Sequence, residues 1–394
     1  MRVCSFRIML IVVAVIGYID SINAGTKKEL IVITDLYHPH QDPGDNFELI
    51  NAFTLPNIDL KAVLIDCTNP FRKKVAKGLG KGLFEDSDGP REPGFISMHQ
   101  LNYIFGKNIP FGIGPFEQMK SEDDKMNDLS DFYNQGLDLL KKTLEDSKKP
   151  VTIASFGSSR ILAVAYNRFP ELMKSRIEMI HVSAGTCSND PDYLEWNVAL
   201  DTIAFVTLLK SDLPITLYPC AAGSANFNKN SSASSLANAF VVATNNTFYR
   251  LNTLSFIEDM NPKLRQYCHY VFSRANDVDY LGYLDKRNDV NLTLFNKPHS
   301  VWETAIWMNV ADQKLVKSKS GVIKIITSDS IDQEDIVFEE QLMKCDIKVK
   351  PSGIFEYTFN NKGRHLIYQR KDPALYQDWM NIAIPNNYKS LEIK

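Results

Sequence analysis

Residues 30–53 read LIVITDLYHPHQDPGDNFELINAF, and the class of fold turns on this stretch. Leu30 to Ile33 is an apolar, β-branched run closed by polar Thr34 and Asp35, the pattern of a strand buried on both faces. A polar loop, Leu36 to Gln41, leads to Asp42-Pro43-Gly44-Asp45-Asn46 and then to the apolar stretch Phe47 to Phe53. Pro-Gly marks a turn, and Asp or Asn starts a helix well because its side chain accepts from a free backbone N–H. Strand, polar loop and helix in that order make the first half of a βαβ unit.

The pattern recurs downstream. Short runs at Leu60–Ile65, Ile109–Ile113, Val151–Ala154, Ile177–Val182 and Ile215–Tyr218 predict further buried strands. Between them, Leu129 to Leu144, Ile161 to Met173 and Val198 to Leu209 carry apolar residues near helical spacing. The alternation predicts an α/β fold with a mostly parallel, Rossmann-like sheet flanked by helices. Extra strands and a helix over Pro373 to Ile384 close the chain. With no long Pro/Gly/Ser linker and no repeat, residues 25–394 are expected to form a single domain.

The first 24 residues have a different character. Arg2 and Arg7 precede an apolar run, Ile8 to Ile16, and Ala24 offers a small residue for cleavage before Gly25. That is a signal-peptide pattern, too short for a span of roughly 20 residues, so a secreted, extracellular protein with no membrane span after cleavage is expected. Three Asn-x-Ser/Thr sequons, at Asn230, Asn245 and Asn291, agree with a secreted glycoprotein. Five cysteines remain after the leader, none in a CxxC pair, which argues against structural zinc and allows one or two disulfides. A net charge of -3 with no basic stripe argues against a nucleic-acid partner.

Polar segments follow the strands: Asp35 through Asn46, Asp66 through Asn69, Gly157-Ser158-Ser159, and Ala184 to Asn197. In an open parallel sheet, ligands bind outside the carboxyl ends of the strands, so these segments are expected to meet there. Asp42 and Asp45, around a Pro-Gly turn, suit a hard cation or the activation of a water. The same residues also suit a plain helix cap.

Several of these segments, taken in order, resemble the motifs of inosine–uridine preferring nucleoside hydrolases. Asp42-Pro43-Gly44-Asp45-Asn46 resembles that family's Asp-Pro-Gly-x-Asp-Asp signature, one residue shorter after the glycine. Glu195-Trp196-Asn197 with Asp201 is similar to its Glu-Phe-Asn-(x)3-Asp segment, and Asn189 and Asn69 stand where it has substrate asparagines. Phe156-Gly157-Ser158-Ser159 resembles its Gly-Pro-Leu-Thr loop, and Lys297-Pro298-His299-Ser300 its late His-Asp pair. The resemblance implies water attacking the anomeric carbon of a (ribo)nucleoside, with Ca2+ gripping the sugar hydroxyls and the water.

By position, it implies Asp42, Asp45, Asn46, Ser159 and Ser300 around the metal. Asp45 would be the base, His299 a proton donor to the leaving group, and Asn69, Asn189, Glu195 and Asn197 the substrate-binding set. The implied partner is a small nucleoside or related glycoside, and a homo-oligomer is compatible with the family.

Two departures stand out: Asn46 and Ser300 replace carboxylates, which weakens a calcium shell. Three repairs are open. Asp35 ends the first strand, His38 and His40 with Asp42 suit a transition metal, and Glu303 lies four residues beyond His299 on an expected helix. Trp196, Phe156, Trp302 and Tyr193 offer aromatic faces for a base, or ordinary core. Besides nucleoside hydrolysis, two readings stay open: a catalytically altered secreted nucleoside- or sugar-binding protein, and a hydrolase of another glycoside.

Overall fold

Each apolar run named above becomes a strand, and the ladder they form runs in one direction for most of its width. The computed structural model describes residues 27–36, 42–66, 94–188, 194–223, 238–273, 275, 277–286, 293 and 295–393. The strands are β1 (Lys28–Thr34), β2 (Ile58–Ile65), β3 (Phe111–Ile113), β4 (Val151–Ser155), β5 (Ile177–Ser183), β6 (Thr186–Ser188), β7 (Ile215–Tyr218), β8 (Ala221–Gly223), β9 (Tyr249–Leu251), β10 (His299–Val301), β11 (Gln313–Lys317), β12 (Ile323–Thr327), β13 (Ile336–Val337), β14 (Glu340–Val349), β15 (Phe355–Phe359) and β16 (His365–Arg370). The main sheet has nine strands in the order β15-β14-β16-β7-β5-β4-β1-β2-β3. Seven of them, from β16 across to β3, pair in parallel, and β14 and β15 add an antiparallel edge.

Period-two alternation divides the core. In β1, Leu30 and Val32 face one apolar cluster while Ile31 and Ile33 face the other. In β2, Val63 and Ile65 face the first, and Ala62 and Leu64 the second. Helices cover both faces, as a parallel sheet requires. They are α1 (Pro43–Thr54), α2 (Phe95–Ile104), α3 (Asp131–Asp146), α4 (Arg160–Arg168), α5 (Pro170–Arg176), α6 (Trp196–Leu200), α7 (Thr202–Lys210), α8 (Pro262–Phe272), α9 (Thr304–Val310) and α10 (Pro373–Lys389).

Four expected boundaries move, each for a local reason. β3 starts at Phe111 rather than Ile109, because Pro110 has no N–H to donate and joins the ladder only through its carbonyl, which accepts from Val63. The helix expected over Ile161 to Met173 divides at Pro170, which opens α5. The one expected over Val198 to Leu209 divides at Asp201, whose extended backbone and carboxylate cap α7 at the Ala204 N–H. The closing helix runs on through Pro385 to Lys389. The described cysteines, Cys187, Cys220, Cys268 and Cys345, are free thiols, while Cys67 and the leader lie outside the described residues. No helix among the described residues is long and apolar enough to cross a membrane.

Candidate active site

α1 carries the first half of the site. Pro43 fixes its first turn, and the Asp42 carboxylate accepts from the Gly44 N–H at 2.7 Å, closing the cap. Residues 43–53 of this helix are all buried, yet Asp45, Asn46 and Glu48 are among them. Burying a carboxylate without a partner is costly, so such a helix needs a reason beyond packing.

Asp35 follows β1 directly, and the ladder continues past the strand ends: Asp66 N–H donates to Thr34 at 2.8 Å and Phe156 N–H to Ile33 at 2.8 Å. This brings Asp35, Asp66 and the Phe156–Ser159 loop side by side at the carboxyl edge of the sheet. A Cβ on Gly157 would come within 2.9 Å of both the Asp35 Cβ and the Asp66 Oδ2, so glycine is required for that approach. Glu303 arrives from the far end of the chain at the start of α9. Its Oε2 accepts from the Trp302 N–H at 2.8 Å and lies so close over Gly44 that a Cβ there would sit 2.0 Å from it.

The result is a crowd of like charges. Burial first, then the charges of Asp66, Asp42, Glu195 and Glu303, push Asp35 well above the usual carboxylate range. Asp45 is raised in the same way by burial and by Asp35, Asp42, Glu48 and Glu303. Burial lifts Asp42 to about 6 against the N–H groups of Gly44 and Asp45, and burial with Asp42 lifts Glu303 to about 8. Asp35 Oδ2 is buried with no hydrogen-bond partner, and both Glu48 oxygens are buried with only the Thr34 hydroxyl beside them. Beneath them Asp66 is neutralised: Arg160 Nη2 meets its Oδ1 at 2.7 Å, and Ser158 N–H donates to its Oδ2 at 2.6 Å.

The other expected site residues sort as follows. Glu195 caps α6: its carboxylate accepts from Asn197 N–H at 2.7 Å, Val198 N–H at 3.3 Å and Gly185 N–H at 2.9 Å. Asn197 Nδ2 donates to the carbonyls of Phe156 (3.0 Å) and Ser183 (2.7 Å), tying the ends of β4 and β5 together. The Ser159 carbonyl accepts from Ala163 N–H at 2.9 Å as the first bond of α4, and its buried hydroxyl has no partner. Asn46 Oδ1 accepts from the Tyr267 hydroxyl at 2.7 Å, and its Nδ2 donates to the Asp42 carbonyl at 2.7 Å.

His299 and Ser300 lie in β10, across from Leu251 and Arg250, so His299 and Glu303 do not share a helix face. The carboxylate that the late segment brings to the cluster is that of Glu303. Asn69, Asn189, His38, His40 and Tyr193 lie outside the described residues. Of the aromatics, Phe156 is 2% exposed and stacks on Trp307 at 5.5 Å, so it is core. Trp302 is half-buried against Phe248, its indole N–H donating to the Cys220 carbonyl at 3.0 Å, and Trp196 is 41% exposed.

Sequence reasoning missed Glu48 and Arg160. A carboxylate three residues after Asp45 on an otherwise apolar helix was the available signal for Glu48. Nothing in the sequence marks Arg160 as buried.

The chain is similar to ribonucleoside hydrolases. It is 26% identical over 185 residues to the pyrimidine-specific ribonucleoside hydrolase RihA of Escherichia coli O1:K1, which is 45% of this chain and 57% of that protein. The RihA of Escherichia fergusonii matches at the same identity and coverage. The match thus spans little more than half the length of these curated relatives. No protein-family model matches the chain. Among solved structures it aligns with an inosine–uridine preferring nucleoside hydrolase from Bacillus anthracis at 14% identity and a TM-score of 0.47, over 92% of this chain and 99% of that one. A plant nucleoside hydrolase aligns at 15% identity and a TM-score of 0.48, over 90% and 98% of the two chains. At these TM-scores the solved structures add nothing to what the residues themselves say.

Proposed function

We propose that this protein is a secreted hydrolase that cleaves the N-glycosidic bond of ribonucleosides, with a divalent cation held at its carboxylate cluster and calcium the first candidate. One observation carries the reading. Asp35, Asp42, Asp45 and Glu303 come together at the carboxyl edge of a parallel sheet closely enough to raise one another's pKa, and Asp35 Oδ2 is buried with no hydrogen-bond partner. The likeness to ribonucleoside hydrolases supports the choice of substrate.

The donor set fits a hard cation, which takes carboxylate and carbonyl oxygens. Asp35, Asp42, Asp45 and Glu303 would hold it. Among the described residues no three acidic, His or Cys side chains are already grouped closely enough to hold a metal ion. A dication bound there would lower the pKa of its water and bind sugar hydroxyls.

The protein's own groups account for the rest. Asp45 takes a proton from water as the water oxygen bonds to the anomeric carbon. The bond from that carbon to the base breaks with its electron pair going to the base, which takes up a proton. His299 is the proposed donor of that proton. Asn69, Asn189 and Ser300 enter as proposed contacts to sugar or cation. The Asn197 clamp keeps the ends of β4 and β5 in register beneath the substrate.

A second reading, binding without turnover, is favoured by one feature. Asn46, where the hydrolase signature has a carboxylate, is tied into the fold by Tyr267 and the Asp42 carbonyl. Purified protein with calcium is expected to release base from uridine, cytidine or inosine. Asp45→Asn should slow release by about 10²–10⁴-fold, the usual contribution of a general base. No base release from the wild type with calcium or manganese would overturn the hydrolase reading, and an Asp45→Asn variant as fast as wild type would remove Asp45 as the base.

A further inference from the structure

Glu48 belongs to none of the motifs that point to the site, yet the fold places it there. Asp45 and Glu48 stand three residues apart on successive turns of α1, so they are neighbours on its surface, and Asp42 is the cap just before them. Their neighbours on α1 turn elsewhere. Phe47 stacks on Tyr388 with ring centroids 4.5 Å apart, and Asn46 bonds to Tyr267.

Glu48 itself is 0% exposed. Glu303 is the charge that bears on it most strongly, followed by Asp35 and Asp42, and the Thr34 hydroxyl stands beside it. Apart from the Thr34 hydroxyl beside it, its oxygens have no hydrogen-bond partner, and it forms no ion pair among the described residues. As packing alone, a carboxylate at this position is inferior to Leu, Met or Gln, each of which fills the space without burying an unpaired charge.

We propose that Glu48 is a ligand of the divalent cation at this cluster, supplying the negative charge that Asn46 does not. The proposal rests on the cation reading given above and goes further in naming a residue that no motif assigns. It also gives Asn46 a definite place: its amide positions the Asp42 turn.

Direct cation binding by the full chain tests this, without reference to turnover. Wild type, Glu48→Gln, Glu48→Met and Asp42→Asn are stripped with chelator and titrated with calcium and with manganese by calorimetry. Each is also melted with and without metal. Both Glu48 variants should bind about 10–100-fold more weakly, the size of change seen when groups supporting a metal are removed. Both should melt higher than wild type in chelator, because a buried unpaired charge has gone, and should gain less on adding metal. Glu48→Met, apolar and close in volume, serves if Glu48→Gln fails to fold. If the Glu48 variants bind as tightly as wild type while Asp42→Asn does not, Glu48 is no ligand but the cation site stands. If the wild type binds neither metal, the cation reading fails and Glu48 falls with it.

Discussion

Replacing Arg160 by methionine removes the positive charge beneath the site while keeping most of the side-chain volume. The guanidinium is 0% exposed and lies 2.7 Å from Asp66 Oδ1 and 3.6 Å from Asp201 Oδ2. Its Nε–H also donates to the Pro115 carbonyl at 2.9 Å. Removing one partner of a buried ion pair costs about 3–5 kcal/mol, because the other is left charged and dry. Both carboxylates keep some compensation: Asp66 the N–H of Ser158, and Asp201 those of Met119 and Ala204. The expected loss is therefore in the lower part of that range, about 3–4 kcal/mol, with Tm lower by about 4–5 °C for a chain of this size. Urea unfolding at pH 7 measures it. In the double variant Arg160→Met with Asp66→Asn, one stranded charge is gone, so the combined loss should fall short of the sum of the singles by more than about 1 kcal/mol. A single-variant loss below about 1 kcal/mol, or additivity within about 0.5 kcal/mol, would show that the ion pair does not hold the Ser158 loop against β2.

Two further outcomes follow from the carboxylate crowd. The folded-state values of Asp42 (about 6) and Glu303 (about 8) lie above the roughly 4 of an unfolded carboxylate, so the native protein holds protons that the unfolded chain has released. Stability in chelator should therefore fall as pH rises through about 4 to 8, and added calcium should flatten the fall; a Tm that climbs across this window in chelator would contradict the crowding. In Gly44→Ala the new Cβ would meet Glu303 Oε2, the end of a flexible side chain, so the fold should survive while calcium binding weakens about tenfold or more. Unchanged calcium affinity would show that Glu303 does not reach the cation from its place over Gly44.

The parallel sheet was legible because its signal is local. A run such as Leu30–Ile33 is apolar at every position, and only a strand covered on both faces tolerates that. The convergence of loops at one edge followed from the same logic, since parallel strands put all their carboxyl ends together. Register and turns were less legible. Asp201, expected inside a helix, breaks it because its carboxylate caps the next helix, a choice fixed by Arg160 and Met119 from distant parts of the chain. His299 and Glu303 looked like neighbours on a helix face, whereas pairing with β9 draws His299 into a strand.

By itself, the sequence determined the α/β class, the order of the strands that carry polar loops, and Asp35, Asp42 and Asp45 as acidic residues at the first of them. Local periodicity and capping chemistry are short-range, so one segment suffices to express them. The tertiary structure decided which carboxylates meet. Glu303, more than 250 residues from Asp42, lies over Gly44; Glu48 is turned into the same crowd; and Arg160 neutralises Asp66 below it. Burial and proximity set the charge state of such groups, and both are properties of the assembled fold rather than of any stretch of chain.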